Sequence, residues 1–113
     1  MANSFVNKKV DLTTTNATTL YTAPTAATSI IKSILVSEDS GNADTITVTI
    51  TDTSDAVFSL FKTKSISANG TTELLTAPLV LQQNEVLKVT AATANRLHVV
   101  LSALESKPRE VIT

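Results

Sequence analysis

Hydrophobic residues recur along this chain at every second position in short runs, and polar clusters separate the runs. The clearest run is 45–52, where Ile46, Val48 and Ile50 take one parity and Thr45, Thr47, Thr49 and Thr51 the other. A period of two over that length sets alternate side chains on opposite faces of a half-buried strand. The β-branched residues that fill it suit a pleated surface and lose χ1 freedom in a helix. Residues 29–64 around this run read as three consecutive antiparallel strands. The first, 29–37, is apolar on both parities, with Ile30, Ile34 and Val36 on one and Ile31 and Leu35 on the other. That pattern predicts a central strand. The third, 56–62, alternates Val57, Ser59 and Phe61 with Phe58 and Leu60, and both phenylalanines are expected to anchor the core.

The same reading extends along the rest of the chain. Val6, Lys8, Val10 and Leu12 alternate with Asn7, Lys9 and Asp11 as a short first strand, whose lysines suit a sheet edge because charge there discourages stray pairing. Residues 1–5 are expected as a flexible arm. Leu20-Tyr21-Thr22 is a brief strand stopped by Pro24, which cannot donate to a ladder. Residues 38–44 form a turn in which Gly41-Asn42 can take positive φ. Asn69-Gly70 is the strongest tight-turn dipeptide and is expected to join strands 65–68 and 71–75. Residues 78–81 are read as a loop, 85–91 as a strand packing Val86, Leu87 and Val89, and 96–104 as the last strand. On that strand Leu97, Val99, Leu101 and Ala103 point inward, with His98, Val100 and Ser102 opposite. Leu20–Pro24 is echoed by Leu74-Leu75-Thr76-Ala77-Pro78, which reads as one strand-end device used twice or as a trace of duplication.

About eight short strands with turn signals every 8–12 residues, and no helical period, predict an all-β antiparallel sandwich of jelly-roll-like kind. With 113 residues the chain makes one domain, 1–105, followed by a tail, 106–113. Only two glycines are present, so Asn, Asp, Ser and Thr must carry most turn geometry.

Charge and composition narrow the function classes. A net charge of −1 supplies no basic field for nucleic acid. Cysteine is absent, so neither disulfides nor thiolate metal sites contribute. No run approaches the roughly 20 apolar residues that cross a bilayer as a helix. Lys8 and Lys9 are followed by no apolar stretch, so no signal peptide is expected at the start. The expectation is a soluble protein that stays where it is made unless it leaves within a larger particle.

Candidate chemistry is sparse. Glu38, Asp39, Ser40, Asn42 and Asp44 place oxygen ligands in one turn, which a hard cation needs, although the spacing is not that of an EF-hand; Glu38, Asp39 and Asp44 are the candidate ligands, and solvated turn polarity is the alternative. Asp52 and Asp55 form an acid pair of the kind used in acid–base chemistry and equally common in turns. His98, the single histidine, has no nucleophile motif such as Gly-x-Ser-x-Gly to serve and reads as a surface or interface residue. Phe5, Tyr21, Phe58 and Phe61 are too few to build a stacking platform. No catalytic residue, cofactor site or enzyme activity is expected. In the tail, Lys107, Pro108 and Arg109 break the strand pattern before Val111-Ile112. That end reads either as a frayed terminus or as an arm that adds a strand to a partner's sheet, with Lys107, Arg109, Val111 and Ile112 in contact.

The succession LYTAP, SIIKSILVSEDSGNADTITVTITD, LLTAPLVLQQNEVLKVTAAT and LHVVLSALE, covering most of 18–105, resembles the small β-sandwich virion structural proteins of tailed bacteriophages. Residues 82–85 depart from the Gly-Asp turn often found there. The resemblance implies a capsid decoration or cement protein acting through subunit interfaces, with a tail, neck or fibre-attachment role as the alternative. It implies the major capsid protein or other virion proteins as partners, a homo-oligomer with a trimer among the forms open to it, and a virion location after assembly in the host cytoplasm. A receptor- or glycan-binding module is the remaining class, marked by exposed aromatics clustered at a loop end.

Overall fold

A computed structural model describes residues 2–107, and they form nine strands with no helix among them. The strands are β1 (Ala2–Asp11), β2 (Thr18–Thr22), β3 (Thr28–Glu38), β4 (Asp44–Thr51), β5 (Val57–Ile66), β6 (Thr71–Glu73), β7 (Leu79–Leu81), β8 (Val86–Ala91) and β9 (Leu97–Lys107). One sheet runs β1-β9-β3-β6, with β7 sharing the β6 side of β3, and the other runs β2-β8-β4-β5. β1 pairs with β9, β2 with β8, β3 with β6 and β7, and β4 with β5, all antiparallel. First therefore meets last and the ribbon closes inward, which is the winding of an eight-strand jelly roll whose sixth strand is split into β6 and β7. The fold class is the one the alternation predicts.

The core lies between the two sheets. Ile46, Val48, Leu87 and Val89 from one sheet meet Ile31, Ile34, Val36, Leu97, Val99 and Leu101 from the other, each buried at 0% exposure. Inward and outward parities of β9 fall as the pattern predicts, and β1 lies at a sheet edge.

Several expectations are corrected by the sheet assignment. Residues 29–64 are not one antiparallel succession, because β3 lies in the first sheet and β4–β5 in the second. The turn at 38–44, with Gly41 at φ 83°, therefore crosses between sheets. Asn69-Gly70 also crosses, from β5 to β6, rather than closing a hairpin; Asn69 holds φ 55° and the Gly70 N–H donates to the Ser67 carbonyl at 2.9 Å. Strands 56–62 and 65–68 are one strand, β5. Residues 79–81 are strand β7 rather than loop. Residues 2–5, expected as an arm, are the first half of β1, with Asn3 opposite Ser106 and Phe5 opposite Leu104. Ser106 and Lys107, assigned to the tail, end β9.

Bulges decide which apolar side chains point inward. On β3 the ladder to β9 skips Lys32, so Ile31 and Ile34, three apart, both face the core. An extra residue shifts every following side chain to the other face. Ile30 is consequently turned out, and Ile31 turned in, against the simple alternation. A bulge at Leu20 likewise buries both Leu20 and Tyr21. β5 carries two such shifts against β4; Phe61 packs on the core rim, whereas Phe58 is 53% exposed and does not anchor it.

Candidate functional site

The acidic turn holds the backbone together. The Glu38 carboxylate accepts hydrogen bonds from Ser40 N–H (2.7 Å), Gly41 N–H (3.1 Å), Asn69 N–H (2.9 Å) and the Ser40 hydroxyl. Burial raises its pKa, but those donors outweigh burial and bring it from the usual 4.5 down to about 2. Glu38 thereby ties the 38–44 turn to the 67–70 turn. Asp44 accepts from Thr93 N–H at 3.1 Å, and Asp39 reaches His98 Nδ1 at 3.4 Å. The three carboxylates are thus engaged with three different partners. Among the described residues no group of three acidic or histidine side chains is placed to hold a metal.

Asp52 caps its own turn, accepting from Ser54 N–H (2.8 Å) and Ala56 N–H (3.0 Å), while Asp55 takes φ 63°. His98 sits on the outer face of the first sheet between Asp11 (Nε2 at 3.2 Å) and Asp39. Neither ring nitrogen faces a serine or threonine hydroxyl in the manner of a triad. Lys107 lies 3.9 Å from Glu105; Arg109, Val111 and Ile112 lie outside the described residues.

Two polar clusters emerge only from the tertiary structure. The Tyr21 hydroxyl, carried on β2, donates to Glu105 Oε2 (2.5 Å) on β9 and shares a hydrogen bond with the Ser29 Oγ (2.7 Å) on β3, joining the sheets at one end of the core. Burial, reinforced by Glu105, pushes that hydroxyl from 10.0 up to about 12. Parity carries a signal for it: continuing the inward positions 97, 99, 101 and 103 reaches Glu105, and a buried carboxylate requires a partner. The second cluster is Glu73, which fills the gap between β6 and β7. It accepts from Ile34 N–H (2.8 Å), Leu75 N–H (3.1 Å) and the Ser33 hydroxyl, beside the β3 bulge. Burial works against its ionisation, yet these donors hold its carboxyl below the usual carboxylate range.

What remains for contact with other molecules is surface. Register aligns Phe5, Leu104, Ile30 and Val80 in one outward row across β1, β9, β3 and β7. Phe5 is 80% and Val80 51% exposed. Two rungs further along, Lys9, Val100, Leu35 and Glu73 form a second outward row. Between the sheets, on the β5 side, an open groove of about 300 Å³ is lined by Leu60, Phe61, Leu75, Pro78 and their neighbours, with no charged side chain. The exposed aromatics Phe5 and Phe58 lie on different sheets and do not cluster.

No family model matches the chain, and no curated protein matches it. Among solved structures it is similar to the capsid asymmetric unit of cyanophage Pam1, at 17% identity over 94% of this chain and 85% of that chain, with a TM-score of 0.45. Likeness at that level assigns no function.

Proposed function

We propose that the protein is a structural component of a tailed-bacteriophage virion, a decoration protein that stabilises the head through contacts with the major capsid protein and with neighbouring subunits. The observation that carries this reading is the exposure of apolar side chains at two separate places, the outer row of the first sheet, beside Lys32, and the uncharged β5-side groove. A particle component works by repeated burial of such area, so that modest contacts sum by symmetry. Glu38, Asp44 and Asp52 are meanwhile engaged in holding turns. The sequence resemblance supplies the kind of particle.

Quantitative mass spectrometry of purified particles tests the reading. Copy numbers comparable to the coat protein support decoration. A handful per particle would move the protein to the tail or neck, and absence from particles would overturn the virion role.

A further inference from the structure

Most sheet edges of this molecule oppose strand addition. β5 is shifted twice against β4 and carries Lys62 and Lys64; β2 is five residues long and bulged; and the side of β3 away from β9 is bordered by β6 and β7, three residues each. Bulges, charge and short length keep an exposed edge from pairing. β1 is different. It runs ten residues in unbroken register with β9, and among the described residues nothing pairs with its other side. Its charges, Lys8, Lys9 and Asp11, all stand in the second half, so residues 2–7 form an uncharged open edge on which Phe5 is 80% exposed.

The outward parity of that half reads Asn3, Phe5, Asn7, the same in either direction. Antiparallel pairing with a second copy about a two-fold axis at Phe5 therefore sets like against like. Phe5 meets Phe5 of the other copy, and Asn3 meets its Asn7 on either side. An amide both donates and accepts, so Asn opposite Asn is a matched pair, and aromatic rings directly opposed across a ladder attract. The lysines reject other registers. Centring the pair on Val6 or Asn7 sets Phe5 against Asn7 or Lys9, and centring it on Lys8 or Lys9 opposes like charges. With Phe5 at the centre, Lys8 falls opposite Ala2 at the end of the ladder. Lys32 lines a hollow beside Phe5 and Asn7 but stands on β3, two strands in from the join. The two copies of Lys32 are then about 24 Å apart at ordinary strand spacing, beyond the reach of screened repulsion. We infer that residues 2–7 of β1 are an isologous strand-pairing edge for a second copy of this chain, joining the first sheets of two copies into one continuous sheet.

The test uses the full chain in solution and needs no particle, so its failure is separate from failure of the virion role. The chain has no cysteine, so single substitutions carry unique thiols. Directly opposed residues of paired strands hold their Cβ atoms about 4.5–5.5 Å apart, close to disulfide reach. Under air oxidation Phe5→Cys is expected to form disulfide homodimers, Asn3→Cys alone few, and a mixture of Asn3→Cys with Asn7→Cys heterodimers. Light scattering of the unsubstituted chain is expected to rise toward twice 11.9 kDa with concentration. Phe5→Lys, which would oppose two ammonium groups at the centre of the pair, is expected to weaken the dimer roughly tenfold or more while leaving thermal unfolding of the monomer unchanged. A monomer at every concentration would leave this edge to some other partner and overturn the inference. Asn3→Cys homodimers as abundant as those of Phe5→Cys, the mark of parallel or unregistered pairing, or a dimer that Phe5→Lys does not weaken, would overturn it as well.

Discussion

At the residue scale, the polar side chains that matter are those whose donors and acceptors are matched in the interior. Tyr21→Phe removes the hydroxyl from Glu105 and Ser29 and leaves a buried carboxylate short of a donor. The expected cost is about 1–3 kcal/mol, read from the denaturant midpoint. Glu105→Gln keeps an acceptor for the hydroxyl and is expected to cost less. Folding favours the neutral Tyr21 hydroxyl, so its contribution is intact below pH 10 and is lost as pH rises toward 12. Tyr21 is the single tyrosine, so tyrosinate absorbance reads that titration directly; a midpoint at the ordinary value would contradict the buried network. Glu38 has the opposite sign. Its contribution is present above pH 4.5 and is lost as pH falls toward 2, and Glu38→Gln is expected to flatten acid unfolding over that window. Ala26 stands at φ 62°, where a Cβ costs about 1–2 kcal/mol. Ala26→Gly is expected to raise stability by about 0.5–1 kcal/mol after the added chain entropy of glycine.

At the element scale, the β3 bulge carries the argument. Skipping Lys32 lets one strand bury Ile31 on one side of the bulge and Ile34 on the other, and Glu73 seals the ladder where β6 and β7 part. Deleting Lys32 would turn one half of the strand inside out. A loss of about 2–5 kcal/mol for the misplaced isoleucine, seen as a lowered melting temperature or insoluble protein, is the expected result. Lys32→Ala, at an exposed position, is expected to stay within about 0.5 kcal/mol. If the deletion folded as well as the substitution, the bulge would have no structural role.

At the scale of the whole molecule, the jelly-roll winding makes the sequence extremes neighbours, with Ala2 opposite Lys107. Contacts between distant segments carry loop-closure entropy before they contribute stability. Folding is therefore expected on the millisecond-to-second scale as a single cooperative transition, measurable by stopped-flow refolding. β9 lies between β1 and β3, so a chain ending before Leu97 is expected to lose the fold rather than leave a smaller one.

The alternating pattern by itself determined the strand class, most strand positions and the inward set on β9, because period two is a local property of a half-buried strand. It also placed β1 at an edge. It did not determine which sheet each strand joins, since Asn69-Gly70 and Gly41-Asn42 have the same local chemistry whether they close a hairpin or cross between sheets. Nor did it show that Ile31, rather than Ile30, faces the core, because a bulge is visible only against the partner strand. The acidic turn looked like a ligand cluster for the same reason: two of its N–H donors, Asn69 to Glu38 and Thr93 to Asp44, come from far along the chain. The row of Phe5, Leu104, Ile30 and Val80 exists only in the register of four strands scattered through the sequence. Local alternation decides faces; long-range pairing decides neighbours, and this protein's surface chemistry is a matter of neighbours.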